Sequence, residues 1–394
     1  MRLTRVRAWN FKSFRELDIR LDGLNVVIGA NASGKSNFVQ LFKFIHDIVE
    51  SGLENAISIQ GGARYLRHMS CGADDRLTIE LSSETGPGDP NFLPVGESPP
   101  VTQSTYRFTL AFPLARNVSI EEDEFRADLR GKESPFRIKR TKNRYGIEGD
   151  PDVMGNFVLT ALNSGLVNAG QPALLIENET ARLMLSLKGL ESIATYDIDP
   201  KGPKHGAVLS GKSDLEPDAG NLAIALDRIL SDDEGRRTLL NLLQAVLPFA
   251  EGLQTQRLGD SSVFFDMREK FSREAVPATF LSDGTVDLIA MLAILYFERK
   301  SLVVIEEPER NLHPSLISSL VELLKDAASI KQIIVSTHNP EVVRYADPKQ
   351  LILISRDGTG SSHASRPADK EEVKRFLAGE LSMHELYIDN LLEV

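Results

Sequence analysis

The chain has 394 residues, of which 42% are apolar, 26% charged and 7% aromatic, with a formal net charge of −11. This is ordinary globular composition at a length of two or three domains, which excludes fibrous and disordered classes. The acidic balance argues against wrapping nucleic acid over the whole surface, and one cysteine, Cys71, excludes a disulfide framework or a multi-cysteine zinc site.

The N-terminal MRLTRVRAWNF lacks the apolar stretch of a secretion signal. The longest apolar run, 286–297, is broken by Asp287 and too short for a bilayer, so a cytoplasmic protein without a membrane partner is expected. In chain order, Leu17, Ile19 and Leu21 alternate as in a half-buried strand, and 25–28 is an apolar run ending in glycine, as in a buried parallel strand. From Ser36 the period becomes helical, with Phe38, Leu41, Phe42, Ile45, Ile48 and Val49 on one face. Strands are expected at 77–81 and 106–112, with a Pro/Gly-rich exposed loop at 83–104 between them. Residues 152–196 read as mostly helical, 199–217 as a mobile loop, and 219–247 as helical. A helix at 286–299, a strand at 302–305, a helix at 316–325 and strands at 333–336 and 351–355 then alternate as in an α/β core. The expected organisation is therefore a core split between 1–112 and 276–394, with 113–275 inserted.

GANASGKS, residues 29–36, fits GxxxxGK[ST]. Successive backbone N–H groups at a helix N-terminus close around phosphate oxygens, and glycine permits the approach. Lys35 supplies a charge for the β/γ phosphates, and the Ser36 hydroxyl completes a Mg²⁺ shell. The pattern recurs at 206–213, GAVLSGKS, but no strand precedes it and Pro217 interrupts any following helix, so it reads as a loop.

In LVVIEEPERNLHP, residues 302–314, Glu306 and Glu307 close an apolar strand, at the end where open α/β sheets bind ligands. One carboxylate can hold a metal-bound water while the next accepts a proton from the attacking water. LSDGT, residues 281–285, precedes an apolar helix; alone it is an N-cap, and with Ser282 and Gly284 it also makes a second anion site. QIIVSTHNP, residues 332–340, is a buried strand that delivers His338 to the same edge.

Phosphate loop, long insertion, LSDGT, strand-EE and strand-H, in that order, resemble the ATP-binding-cassette ATPases, and within them the RecF, SMC and OLD-like group. NFKSF (Asn10 to Phe14) resembles the start of SMC and RecF heads; IEEPERNLHP and LSDGT are similar to the OLD-like ATPase domain, as is, more weakly, EPDAGNLAIAL at 216–226. The resemblance implies an α/β P-loop fold of the cassette-head type, with an antiparallel β subdomain and a largely helical insertion. It makes Gly29, Ala30, Asn31, Ala32, Ser33, Gly34, Lys35, Ser36 and Asn37 the phosphate loop for ATP. It makes Glu306 the Mg²⁺-side acid, Glu307 the general base, His338 the γ-phosphate sensor, and Ser282 with Gly284 the signature that meets ATP on a second protomer. Glu306 stands where most of the family has Asp, and His313 where the D-loop usually ends in Asp. For the metal-touching glutamine, Gln60 is the candidate against a plain turn residue.

OLD-like proteins commonly continue into a TOPRIM nuclease; only 56 residues follow His338, without a DxD, so nuclease activity is not expected. The DxD of Asp197 and Asp199, ahead of a Pro/Gly loop, reads as structural. RIKRTKNR, residues 137–144, places Arg137, Lys139, Arg140, Lys142 and Arg144 either in a solvated hairpin or on a nucleic-acid backbone. Two readings of function stand. The first is an ATPase switch that dimerises around two ATP and works through a separate effector, a nuclease or toxin, in phage defence or DNA repair. The second is an ATP-binding scaffold of negligible turnover that sequesters a protein partner.

Overall fold

The computed structural model describes residues 2–72, 74–84, 101–114, 117–131, 134–141, 144–149, 192–209, 214–259, 262–371, 373 and 382–389. They divide into two compact units: Met1–Gly23, Gly29–Ile193 and Ile352–Arg366 form unit 1, and Leu24–Ile28, Ala194–Leu351 and Pro367–Val394 form unit 2.

The chain opens with strands β1 (Arg2–Phe11), β2 (Phe14–Arg20) and β3 (Leu24–Ile28), then helices α1 (Lys35–Ser51), α2 (Leu53–Ile59) and α3 (Ala63–Leu66). Strands β4 (Leu77–Glu84), β5 (Val101–Leu114), β6 (Asn117–Leu129), β7 (Phe136–Thr141) and β8 (Arg144–Glu148) follow. Unit 1 is built on a seven-stranded sheet in the order β2-β1-β4-β5-β6-β7-β8, with every pair antiparallel. Its register sorts the side chains by the two-residue period of a strand. Ile19, Val6, Leu81, Tyr106, Phe125 and Ile138 stand in one cross-strand row and are all buried. One step along, Asp18, Arg7, Glu80, Arg107, Glu124 and Lys139 form a row of alternating charge on the other face.

The same face carries two cations of the basic stretch, Arg137 and Lys139. Lys139 lies 3.3 Å from Glu124 and 3.8 Å from Glu122, while Arg137 lies 3.0 Å from Glu124 and 3.5 Å from Glu148. Cross-strand opposite charges of this kind stabilise a solvated sheet face modestly. The hairpin reading is therefore favoured for Arg137 and Lys139. Lys142 and the side chains of Arg140 and Arg144 lie outside the described residues.

Unit 2 begins with β3 and resumes at β9 (Ile193–Tyr196) and β10 (Ala207–Val208), helices α4 (Leu222–Ser231) and α5 (Asp233–Val246), and strands β11 (Ala250–Leu258), β12 (Ser262–Glu269) and β13 (Val276–Pro277). Then come α6 (Asp283–Leu292), β14 (Leu302–Glu306), α7 (Ile317–Ala327), β15 (Gln332–Ser336) and α8 (Pro340–Tyr345). The hairpin β16 (Leu351–Arg356) and β17 (Ser362–Ser365) belongs to unit 1 from Ile352 onward. Strands β3, β15 and β14 lie side by side and parallel, with β9 beyond β14. Every residue of β3 and β15 is buried, the polar Asn25, Gln332 and Ser336 included, as in strands covered on both faces. Among the described residues no helix is long and apolar enough to cross a membrane.

Several expectations change. Within 113–275, β6 to β8 extend the sheet of unit 1, the stretch 150–191 lies outside the described residues, and Ala194 onward to Leu351 belongs to unit 2. Most of the helix expected at 152–196 and of the loop at 83–104 lies outside the described residues, and Ile193–Tyr196 is a strand. The described part of 199–217 is a succession of hydrogen-bonded turns rather than a free loop, with β10 paired to β12. The second GxxxxGKS therefore starts on a strand pairing instead of opening a helix; its residues 210–213 lie outside the described residues.

Because Arg137 and Lys139 already neutralise carboxylates, replacing both by Gln should leave the salt dependence of any duplex-DNA binding unchanged. Two lost phosphate contacts would instead flatten the log–log slope by ~1.8. Binding isotherms at several salt concentrations distinguish these outcomes.

Candidate functional site

The phosphate loop runs from the end of β3 to the start of α1. Gly29 has φ 151° and Gly34 φ 116°, both in the region that glycine tolerates best. A Cβ on Gly29 would collide with the Ile354 carbonyl and stand 2.7 Å from Ser33 Oγ; one on Gly34 would collide with Ser362 Oγ and stand 2.9 Å from Ser13 Oγ. The loop is braced from behind. Ser362 Oγ donates to the Ser33 carbonyl at 2.6 Å and lies 2.8 Å from Ser13 Oγ, which accepts from Asn37 Nδ2 at 2.8 Å. Lys35 is 8% exposed, and its ammonium donates to the Gly29 and Ala30 carbonyls at 2.8 and 3.0 Å, across the loop. Ala30, Asn31, Ala32 and Ser36 are exposed.

These residues fit a nucleotide triphosphate. Ser33 Oγ is buried without a hydrogen-bond partner, and the glycines leave a cradle that side chains would fill. No acid stands in the first turn of α1, so its N-terminus keeps its positive end open to anions. The exposed Ser36 hydroxyl and the Glu306 carboxylate are hard oxygen donors of the kind Mg²⁺ takes.

Unit 2 supplies the acidic strand end. Val27, Ser336 and Glu306 stand in register on adjacent parallel strands. The phosphate loop starts two residues after the first, His338 lies two after the second, and Glu307 follows the third. Glu307 has φ 43°, an uncommon conformation for a side-chain-bearing residue and one found at strained functional sites. His338 Nδ1 lies 2.9 Å from Glu307 Oε1, and Arg310 donates to Glu307 Oε2 at 3.2 Å and to Asp197 Oδ1 at 3.0 Å. Partial burial pushes the Glu307 carboxyl up, but the hydrogen bonds from His338 and Arg310 outweigh it and hold it below the usual carboxylate range.

Ser282 is the N-cap of α6: its Oγ accepts from the Thr285 N–H at 3.2 Å. A Cβ on Gly284 would stand 2.6 Å from the Asn311 carbonyl, so glycine there lets the helix and the loop after β14 meet. Asn311 Nδ2 also donates to Asp287 Oδ2 at 2.8 Å. His313 turns inward on its own loop, accepting from the Ser315 N–H at 3.3 Å. Gln60 is 7% exposed, and its amide donates to Asp47 at 3.4 Å. A metal-facing role for Gln60 would need that side chain to turn out of the core.

Other residues near these motifs have no role that the sequence assigns. Ser13 and Ser362 brace the loop, Arg310 grips Glu307, and Asp287 and Asn311 join helix to loop. Glu309 is 4% exposed and accepts from Thr337 Oγ1, and burial raises its carboxyl above the ordinary range. Asp197 of the DxD pairs with Arg310, in keeping with its structural reading.

Asp287, 4% exposed, is pushed up to about 6 by burial, against the pull of the Asn311 hydrogen bond. A raised carboxyl is protonated in the folded chain over a range where the unfolded chain has already ionised, so stability falls as pH rises from ~4 to ~6, by roughly 2–3 kcal/mol. Asp287→Asn should remove that slope. Urea midpoints of both proteins from pH 4 to 7 measure it; a slope kept in the variant would assign the pH dependence to other groups.

A family model described as "AAA domain, putative AbiEii toxin, Type IV TA system" matches residues 24–152 and 188–344, more than half of the chain. Over 45 residues the chain is 51% identical to the DNA replication and repair protein RecF of Desulforudis audaxviator (strain MP104C), a stretch covering 11% of this chain and 12% of that protein. An Smc head bound to the C-winged helix domain of ScpA superposes with a TM-score of 0.54 at 14% identity, covering 93% of this chain and 98% of that one. The Smc head domain with a coiled coil and joint derived from Pyrococcus yayanosii gives a TM-score of 0.51 at 12% identity, over 96% and 99% of the two chains. The structural likeness is one of fold, and with the family match it identifies the chain as a member of that AAA-domain family, an ABC-type ATPase of the RecF/SMC-like group.

Proposed function

We infer that the protein is an ATP-hydrolysing switch in which two protomers close around two ATP, each nucleotide held by the phosphate loop of one and the Ser282–Gly284 signature of the other. The observation that supports this is the shared register of Val27, Ser336 and Glu306 within unit 2, with His338 and Glu307 following the second and third at one edge of its parallel sheet. Lys35 would hold the β/γ phosphates, and the loop amides the remaining oxygens. Ser36 and Glu306 would hold Mg²⁺, which when bound neutralises phosphate charge. Glu307 would take a proton from the water that attacks the γ-phosphorus, while the bond to the ADP oxygen breaks. Each of its two oxygens carries one of the bonds to His338 and Arg310 and keeps a lone pair for that proton.

The RecF likeness supports a role in DNA-linked processes and the family description one beside a toxin system; phage defence or repair through a separately encoded effector is part of the proposal. A second reading has its own support: with both oxygens of Glu307 engaged, the protein would bind ATP, hydrolyse it negligibly and hold a protein partner. Steady-state ATPase with and without DNA separates the two.

Lys35→Ala should abolish or severely weaken ATP binding, while Lys212→Ala in the second GxxxxGKS should leave it unchanged. A nucleotide titration giving the reverse would exchange the two loops. Glu307→Gln keeps shape and phosphate contacts but loses proton acceptance, so turnover should drop by roughly 10²–10⁴-fold while ATP still binds. The unhydrolysed complex should accumulate as a dimer, and Ser282→Arg should prevent that dimer by placing bulk and charge at the partner's phosphate. Light scattering coupled to gel filtration, with and without ATP·Mg²⁺, reads both. Parental turnover in Glu307→Gln would remove the base assignment.

A further inference from the structure

The segment joining β9 to β10 brings a cation to the signature. The Lys204 ammonium pairs with the Asp283 carboxylate, and its side chain is only 18% exposed, although an unpaired lysine would carry its head into water. Asp283 is the first residue of α6 and lies between Ser282 and Gly284. The segment is shaped to hold Lys204 there. The Lys201 N–H donates to Asp199 Oδ1, the Gly202 N–H to the Asp199 carbonyl and the His205 N–H to the Gly202 carbonyl, each at 3.1 Å. Two residues later β10 pairs with β12. The same segment begins with Asp197, which grips Arg310 beside Glu307.

Electrostatics gives this pair a purpose. A carboxylate in the first turn stabilises a helix N-terminus in isolation, but it repels an anion arriving at that same end. Asp283 sits in the middle of the group proposed to receive a phosphate, and the nearest compensation comes from an insertion far away in sequence. We propose that Lys204 is a positioning residue of the ATPase cycle: by neutralising Asp283 it lets the signature of one protomer accept the γ-phosphate carried by the other. This rests on the nucleotide-sandwich reading above. It also gives the segment 197–205 a function, since one short stretch then sets the charge at both the signature and the acidic strand end.

The test is a charge-rescue pair. Lys204→Met keeps the apolar stem and removes the charge; Asp283→Asn keeps the shape and removes the opposing charge. Titration with a fluorescent ATP analogue should give Lys204→Met parental affinity, since the phosphate loop is untouched. Its turnover and its ATP-dependent dimerisation by light scattering should fall about tenfold, the scale of one uncompensated charge near a phosphate. In Lys204→Met/Asp283→Asn both should return to near the parental level. A purely structural lysine predicts no such return, so a double variant as poor as the single one overturns the proposal. So does a Lys204→Met protein that dimerises and turns over like the parent. If the parent itself ignores ATP in the scattering experiment, the sandwich reading falls and takes this inference with it, whereas a responsive parent with an indifferent Lys204→Met overturns this inference alone.

Discussion

The backbone N–H of Thr337 donates to the Val27 carbonyl and that of Glu307 to the Ser336 carbonyl, each at 2.9 Å. These two bonds carry the parallel ladder one step past the ends of β15 and β14 and fix where each chain leaves the sheet. Beyond them the strands diverge into the segments that hold chemistry: the phosphate loop after β3, Glu307 after β14, His338 after β15. Glu307, whose N–H makes the last of these bonds, is also the residue with the uncommon φ of 43°. Strain of this kind persists only where the surroundings over-determine it, and here the ladder does so.

Around that edge the charges are paired off. Glu307 is held by His338 and Arg310, Arg310 is shared with Asp197, Asp283 with Lys204, and Asp287 with Asn311. In unit 1, Lys35 spends donors on its own loop carbonyls. A triphosphate would offer Lys35 a stronger partner than two carbonyls.

The sequence was most legible where the relevant pattern is local. The buried run before GANASGKS, the amphipathic helix after it, the strand before Glu306 and Glu307 and the strand before His338 were all found within a residue or a few of their observed ends. What escaped depends on distance along the chain. Ser362 and Ser13 lie 349 residues apart, and Arg310 reaches Asp197 across 113. The helical expectation reached into Ile193–Tyr196 because a short apolar run bears no period of its own once it is fully buried. The solvated-hairpin reading of 137–144 needed no distant partner, but only the pairing of β6 with β7 sets Glu124 opposite Lys139.

The central claim is that each nucleotide is shared between protomers, and mixing two inactive proteins tests it most directly. Lys35→Ala retains a signature but no working phosphate loop; Ser282→Arg retains the loop but no signature. Each alone should be inactive. In an equimolar mixture only a pairing of one of each holds a complete site, one of its two, so turnover should reappear at up to about half of the parental rate if sites act independently. A mixture as inactive as its components would contradict a shared site.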